Sequence, residues 1–175
     1  MQNNLIVNAL AENSNENIQK FSKLVKSSKC EVSECQLRVM GQFLSAIYLF
    51  SGPWEAIAKI EDNLNKLENE ENITIQKKRT DVEKIKNNYV VYAIDIIGPD
   101  ETNIIFDIID LMLTNSLVIK SMSSNSYKHS ETTTNMFELH TIVYISLDSS
   151  IAGVRSEFTE FCDQFNLDII MEPLK

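Results

Sequence analysis

The sequence predicts an α+β chain made of two copies of one βαββαβ unit, each an antiparallel four-stranded sheet with two helices on one face. Three observations point there. Strand and helix periodicities run strand–helix–strand–strand–helix–strand over residues 4–79 and repeat in that order over 88–173. The first-strand segments align Leu5 with Val90 and the third-strand segments align Phe43 with Phe137, so the offset grows from 85 to 94, and a longer second hairpin absorbs the difference. A chain of 175 residues also accommodates two domains of about 85. The expected organisation is an N-terminal domain over 1–80, a linker over 81–87 and a C-terminal domain over 88–175.

In the first half, Leu5, Ile6, Val7, Ala9 and Leu10 predict a short buried strand interrupted only by Asn8. The polar run Glu12-Asn13-Ser14-Asn15 follows and offers helix N-caps, because a short side-chain oxygen accepts the unpaired amides of a first turn. Ile18, Phe21, Leu24 and Val25 recur at helical spacing, with Lys20, Lys23 and Lys26 on the other face. Cys30 to Val39 reads as the second strand, and its apolar phase slips between Val32 and Cys35, which predicts a bulge or twist. Met40-Gly41-Gln42 predicts a tight hairpin turn into an apolar third strand, Phe43 to Phe50. Ser51-Gly52-Pro53 starts the next helix, with proline at the first helical position, where its missing N–H is not needed. Trp54, Ile57, Ile60, Leu64 and Leu67 give that helix a buried stripe, and Ile73 and Ile75 mark the last strand before charged residues around Arg79 to Asn88.

The second half copies this order. Val90, Val91, Ile94, Ile96 and Ile97 form the first strand, and Gly98-Pro99-Asp100 is the turn, with Asp100 as the helix cap. Ile104, Ile105, Ile108, Ile109 and Met112 make a wide apolar stripe suited to lying under a sheet. Leu117 to Met122 opens the second strand, and the polar stretch Ser123 to Asn135 is the longer hairpin. Phe137, Leu139, Val143, Ile145 and Leu147 alternate as a half-buried strand does. Ile151, Val154, Phe158, Phe161, Cys162 and Phe165 share a helix face, and Leu167, Ile169, Ile170 and Met171 close the unit. Both halves therefore read as ferredoxin-like.

Composition narrows the function classes. An apolar share of 43 % and a charged share of 23 % describe an ordinary folded domain. Domains this small bury only about 60–65 % of their unfolded surface, so the halves are expected to pack together or to pair as a homodimer through exposed sheet edges. No apolar run reaches the roughly 18 residues of a membrane helix. Met1-Gln2-Asn3-Asn4 lacks the positive charge of a signal peptide, so no membrane contact and a cytoplasmic chain are expected. Cys30, Cys35 and Cys162 are odd in number and have no metal-ligand spacing, which fits reduced thiols. No metal, nucleotide or flavin motif occurs, and no cofactor is expected.

The net charge of −9 is concentrated in one half. Residues 1–87 carry 12 Lys/Arg against 12 Asp/Glu, whereas residues 88–175 carry 4 against 13. Such a surface repels phosphate backbones and argues against direct nucleic-acid binding, while leaving room for a basic protein partner. An RNA-binding sheet needs exposed aromatics among cations, and Tyr89 and Tyr92 lie in the acidic half. An acylphosphatase-type hydrolase needs an anion cradle with an arginine at the first helix, and neither first turn has one. His140 falls opposite the apolar face of its strand, His129 lies in a polar hairpin, Cys162 belongs to a helix core stripe and Trp54 anchors the core or an interdomain contact. Cys30 and Cys35 have opposite strand parity, which argues against a paired thiol site. No catalytic constellation accompanies the duplication, so the chain reads as a non-enzyme.

Several segments carry a family resemblance: Leu5-Ile6-Val7-Asn8-Ala9-Leu10, Gln36-Leu37-Arg38-Val39-Met40-Gly41, Ser51-Gly52-Pro53-Trp54-Glu55-Ala56-Ile57 and Lys78-Arg79-Thr80. With them the chain resembles the ACT-domain family of small-molecule regulatory modules, and within it the tandem-ACT repressor family of the glycine cleavage system. That resemblance implies regulation through a DNA-binding transcription regulator as protein partner, with a small amino acid such as glycine as ligand. It places the ligand at the turn between the first strand and first helix, here Asn13 and Asn15 in one half and Asp100 and Asn103 in the other. The family loop runs from an aspartate to a glycine. Asn13 replaces the aspartate and Glu16 the glycine in the first half; Asp100 matches in the second, with Asn103 at the glycine position. Losing that glycine is expected to obstruct the backbone geometry and close ligand approach it allows. The acidic neighbours Glu12, Glu16, Asp100 and Glu101 disfavour a ligand carboxylate but suit an ammonium group.

Overall fold

The computed structural model describes residues 3–70, 72–81, 88–130 and 134–174. The chain divides into two compact units, Met1–Lys84 and Ile85–Lys175. Of the expected linker over 81–87, residues 82–87 lie outside the described residues, as do residues 131–133 of the second hairpin. Among the described residues no helix is long and apolar enough to cross a membrane.

The first unit runs β1 (Asn3–Glu12), α1 (Asn15–Ser27), β2 (Glu31–Met40), β3 (Phe43–Gly52), α2 (Trp54–Glu70) and β4 (Thr74–Thr80). Its sheet has the order β2-β3-β1-β4, and every neighbouring pair is antiparallel. Side chains alternate across a strand, so only one parity of β1 can face the helices. That parity is Leu5, Val7, Ala9 and Ala11, all buried. Ile6 and Leu10, which the sequence placed in a buried strand, point to the other face and are 41 % and 45 % exposed. Phe21 of α1 and Ile57, Ile60 and Leu64 of α2 close over the inner face with Phe50 and Ile75. The slipped phase in β2 is a register shift between Val32 and Glu34, as its apolar pattern predicted. The hairpin turn holds Gly41 at φ +61°, a left-handed conformation that favours glycine.

Two details of α2 differ from the sequence reading. Pro53 precedes the helix, and its carbonyl accepts the amides of Ala56 and Ile57 at 3.0 and 3.1 Å, so it occupies the cap position and its lack of N–H still costs nothing. Trp54 is not in the buried stripe: it is 59 % exposed, because it lies at the sheet's end, where the helix begins. Its ring instead lies under the Arg79 guanidinium at 5.8 Å. Arg79 also forks onto Glu61 of α2, at 3.0 Å from Nε and 2.7 Å from Nη2, and this holds the Glu61 carboxyl below its ordinary range. The segments around Trp54 and Arg79, distant in sequence, thus meet across α2 and β4.

The second unit runs β5 (Tyr89–Pro99), α3 (Ile104–Thr114), β6 (Val118–Lys128), β7 (Asn135–Ser146), α4 (Ile151–Gln164) and β8 (Asp168–Pro173), with sheet order β6-β7-β5-β8. Its core joins Ile94 and Ile96 of β5, Ile108 and Met112 of α3, Phe137 of β7 and Phe158 and Cys162 of α4. Burying each large aliphatic or aromatic side chain is worth about 1.5–3 kcal/mol, so these stripes dominate the unit's stability. β6 has a register shift between Ile119 and Ser121, the counterpart of the one in β2. Buried Thr141 donates its hydroxyl to the Ser121 carbonyl there at 2.9 Å.

Several boundaries move. Gly98 and Pro99 belong to β5 rather than to a turn, and Ser123 to Lys128 extend β6 rather than forming the hairpin loop. Asp100 does not cap α3; the cap position is Asn103. Leu147 and Ile170 are exposed, because Leu147 lies beyond the end of β7 and Ile170 has the outer parity of β8. With only four glycines in the chain, the left-handed positions of this unit fall to Asn103, Ser116 and Asn166. Ser116 and Asn166 end α3 and α4, and buried Leu117 and Leu167 then donate their amides back to Met112 and Cys162.

Gly98 passes so close to the α4–β8 turn that a Cβ there would collide with Leu167 Cδ2 and meet Leu167 Cα at 3.2 Å and the Asn166 carbonyl at 3.3 Å. The backbone members of that contact cannot rotate away. Gly98→Ala is expected to destabilise the second unit by about 1–3 kcal/mol, read as a lower midpoint in chemical denaturation.

Candidate functional site

The two turns that join a first strand to a first helix are the sequence-predicted site. Both are anchored in the same way. Asn13 donates its amide to the Gln42 carbonyl at 2.9 Å, and Asp100 donates its amide to the Asn135 carbonyl at 2.9 Å. Each bond ties the turn to the neighbouring hairpin and fixes where the helix can begin.

Beyond the anchor the turns diverge. In the first unit Ser14 is the N-cap, and its Oγ accepts the Asn17 amide at 3.1 Å. Asn17 in turn donates its side-chain amide to the Glu12 carbonyl at 2.9 Å. The helix therefore starts at Asn15, leaving Asn13 exposed beside the cap and Asn15 exposed in the first turn. Glu16, at the position expected for glycine, is an ordinary helical residue paired with Lys20 at 2.9 Å.

In the second unit the turn is longer, with Asp100 and Asn103 at its two ends and both exposed. Asn103 adopts φ 69°, ψ 0°, and its side chain makes no cap hydrogen bond, while the Ile104 amide donates to the Glu101 carbonyl at 3.3 Å. Its carbonyl accepts the Phe106 and Asp107 amides at 2.8 and 3.1 Å. The expectation that losing glycine would remove the special backbone geometry is therefore not met here, since asparagine is among the few side chains that tolerate the left-handed region. Asn13 and Asn15 lie in one unit, and Asp100 and Asn103 in the other.

A second feature was missed by sequence reasoning. The outer face of the second sheet carries a cavity of about 290 Å³, lined in part by Asp95, Ile97, Glu138, His140, Asp168 and Ile170. The expected surface position of His140 is met, and its Nδ1 lies 2.6 Å from Asp95 Oδ1, its partner across β5 and β7. The alternation of β7 places His140 outward, but only the strand register reveals Asp95 opposite it. The opposite parity expected of Cys30 and Cys35 is not met: the register shift between Val32 and Glu34 sets Cys35 opposite buried Tyr48, on the inner parity, and Cys30, just before β2, packs against the same core. Cys35 is nevertheless exposed, Cys30 partly buried and Cys162 buried.

Residues 3–78, most of the first unit, match the family model of the ACT domain, and the second unit repeats the first unit's topology. No curated protein sequence matches the chain. Among solved structures, an unknown protein from Galdieria sulphuraria is similar at 14 % identity, covering 100 % of each chain with a TM-score of 0.78. A candidate glycine cleavage system transcriptional repressor is similar at 14 % identity, covering 100 % of this chain and 99 % of that one, with a TM-score of 0.71. At this identity both likenesses speak to the fold.

Burial pushes the Cys162 thiol up to about 11 from 9.0, and the Asp163 and Asp168 charges add to it. The folded chain then holds this proton more tightly than the unfolded chain does. Its contribution to stability is complete below about pH 9 and is lost as the pH rises from about 9 to about 11. Thermal melts should show stability falling across that window, with a flatter profile in Cys162→Ala, while alkylation of the folded chain should modify Cys35 and spare Cys162.

Proposed function

We propose that this tandem of ACT-type domains is a non-enzymatic regulatory protein of the cytoplasm. In this reading it binds a small amino acid such as glycine at the turn before α3 and acts by contact with a DNA-binding transcription regulator. The observation that carries the reading is the contrast between the two turns: the Ser14 side chain caps α1, whereas Asn103 makes no side-chain cap bond at α3 and adopts a glycine-like backbone. At α3 the Ile104 and Phe106 amides already donate to the Glu101 and Asn103 carbonyls, which leaves the Ile105 amide and the partial positive charge of the helix end to attract a carboxylate. Asp100, at the other end of the same turn, supplies an anion for an ammonium group. The two features suit the two ends of a zwitterion, and a small side chain avoids the bulk that Asn103 adds where glycine has none. Asn13 and Asn15 form the weaker candidate pair, because neither carries the charge that Asp100 offers an ammonium group.

The protein partner follows from charge and family. The second half, with 4 Lys/Arg against 13 Asp/Glu, repels a phosphate backbone, so contact with DNA would run through a partner. The fold shared with the candidate repressor supports that arrangement. A ligand that binds one conformation better than another would shift the partner-binding surface by that difference in affinity.

Calorimetric titration of the full chain with glycine, alanine, serine and larger amino acids tests the ligand. Saturable heat with the small members is expected, and Asp100→Ala should weaken it about tenfold by removing a charge-assisted bond. Absence of both heat and thermal stabilisation across the panel rejects the sensor. Affinity capture from native lysate, with and without glycine, should recover a DNA-binding regulator; a metabolic enzyme in its place would make the chain a regulatory subunit.

A further inference from the structure

The outer face of the second sheet carries a regular pattern of charge and apolar surface. Across β5 and β8, Ile97 pairs with Asp168 and Asp95 pairs with Ile170. Residues two apart on a strand share a face, so these four side chains form a checkerboard. Each isoleucine has one carboxylate beside it along its own strand and another on the neighbouring strand. Ile97 and Ile170 are 38 % and 59 % exposed. Glu138 of β7 flanks Ile97 on its other side, and Glu172 follows Ile170 along β8. Asp95 meets His140 through Oδ1, and Glu138 accepts the Asn125 side-chain amide at Oε1, 3.1 Å away, while Asp168 and Glu172 are exposed. Among the described residues that strand register places on this face there is no lysine or arginine.

The fold does not demand this pattern. Aligning Leu5 with Val90 puts Leu10 at the place of Asp95, and Leu10 pairs with Ser45 and Thr74 where Asp95 pairs with His140 and Ile170. The first sheet carries no acid at those three positions, and on its outer face Lys78 lies opposite Ile6.

Apolar surface interrupted by carboxylates suits one kind of side chain. Lysine and arginine lay an aliphatic stem along apolar surface and carry a cation at its end. A stem resting on Ile97 or Ile170 brings its head group to a carboxylate in either direction, and the cavity of about 290 Å³ over these residues gives it room. We infer that this face docks a lysine- and arginine-bearing segment of the protein partner. The inference rests on the reading that the chain acts by protein contact, and it names the place of that contact. Asp95, Glu138, Asp168 and Glu172 receive the cations, and Ile97 and Ile170 receive the stems. A DNA-binding regulator meets the requirement, because proteins that hold phosphate backbones present clustered lysine and arginine.

Fluorescence anisotropy on the full chain reads the docking with a labelled, amidated peptide of alternating arginine and alanine, about ten residues long like an extended strand. Saturable binding is expected, and a glutamate–alanine peptide of the same length should not bind. D95N/D168N should weaken binding about tenfold, whereas E160Q/D163N, which removes the same charge from exposed positions of α4, should leave it unchanged. Ile170→Ser keeps every charge and should still weaken binding severalfold by removing the apolar contact of a stem. Circular dichroism melts report whether each variant folds, and these exposed positions are expected to leave it so. Failure of the arginine peptide to bind overturns the proposal. So does an equal loss in D95N/D168N and E160Q/D163N, which reduces the attraction to net charge. Free arginine that binds as tightly as the peptide makes the cavity a small-molecule site and overturns it too. The assay contains neither glycine nor the partner, so it can fail while the amino-acid reading stands and succeed while lysate capture recovers nothing.

Discussion

A sheet covered by helices on one side can bury only every second residue of its strands. That parity constraint governs both units. Leu5, Val7, Ala9 and Ala11 face inward in β1, as do Ile94 and Ile96 in β5, and the helix stripes of Ile57, Ile60 and Leu64 or of Ile108, Met112 and Phe158 close over them. Once the inner parity is committed to the core, whatever the protein does must use the outer faces, the edges and the turns. The polar groups that fall within the buried layers are satisfied in place. Ser51 donates to Asn4 at 2.6 Å and shares a hydrogen bond of 2.8 Å with Ser33, while Thr141 serves the irregular stretch of β6.

Repetition makes the differences between the units informative. Both first turns are anchored by one amide to the neighbouring hairpin, so their geometry begins alike. The shorter turn of the first unit then closes on itself through Ser14, and the glycine position becomes the helical residue Glu16. The longer turn of the second unit spans Asp100 to Asn103 and leaves the start of α3 without a side-chain cap. One repeated plan thus gives one turn capped by a side chain and one whose first-turn amides at Ile104 and Phe106 are met by backbone carbonyls. The acidic excess lies in the half that holds the turn without a side-chain cap bond.

Element order, sheet class and the bulge in β2 were legible in the sequence because they follow from periodicity, which is local. The inner stripes of α2, α3 and α4 were legible for the same reason. What the sequence obscured depends on where an element ends relative to its neighbours. Trp54 fits the helical period of Ile57 and Ile60, yet it lies past the edge of the core, where Arg79 reaches it. Ile6 and Leu10 are as apolar as Leu5 and Val7, and only the helix positions decide which parity is covered. The serines of β6 read as loop residues because an edge strand with little to bury needs no apolar alternation. At the candidate site, Asp100 and Asn103 were found from the family pattern, but their roles were exchanged: Asn103 takes the cap position and the left-handed backbone, and Asp100 the anchor. The Asp95–His140 pair was invisible because strand register is set by tertiary structure.

The account turns on the claim that the second first-turn, and not the first, is open to a ligand. Backbone hydrogen exchange followed by mass spectrometry, with and without saturating glycine, measures this directly. Slower exchange confined to the segment from Asp100 through the first turn of α3, with the segment from Asn13 to Ile18 unchanged, is the predicted result. Protection at Asn13 to Ile18 instead, or identical exchange throughout, would contradict it.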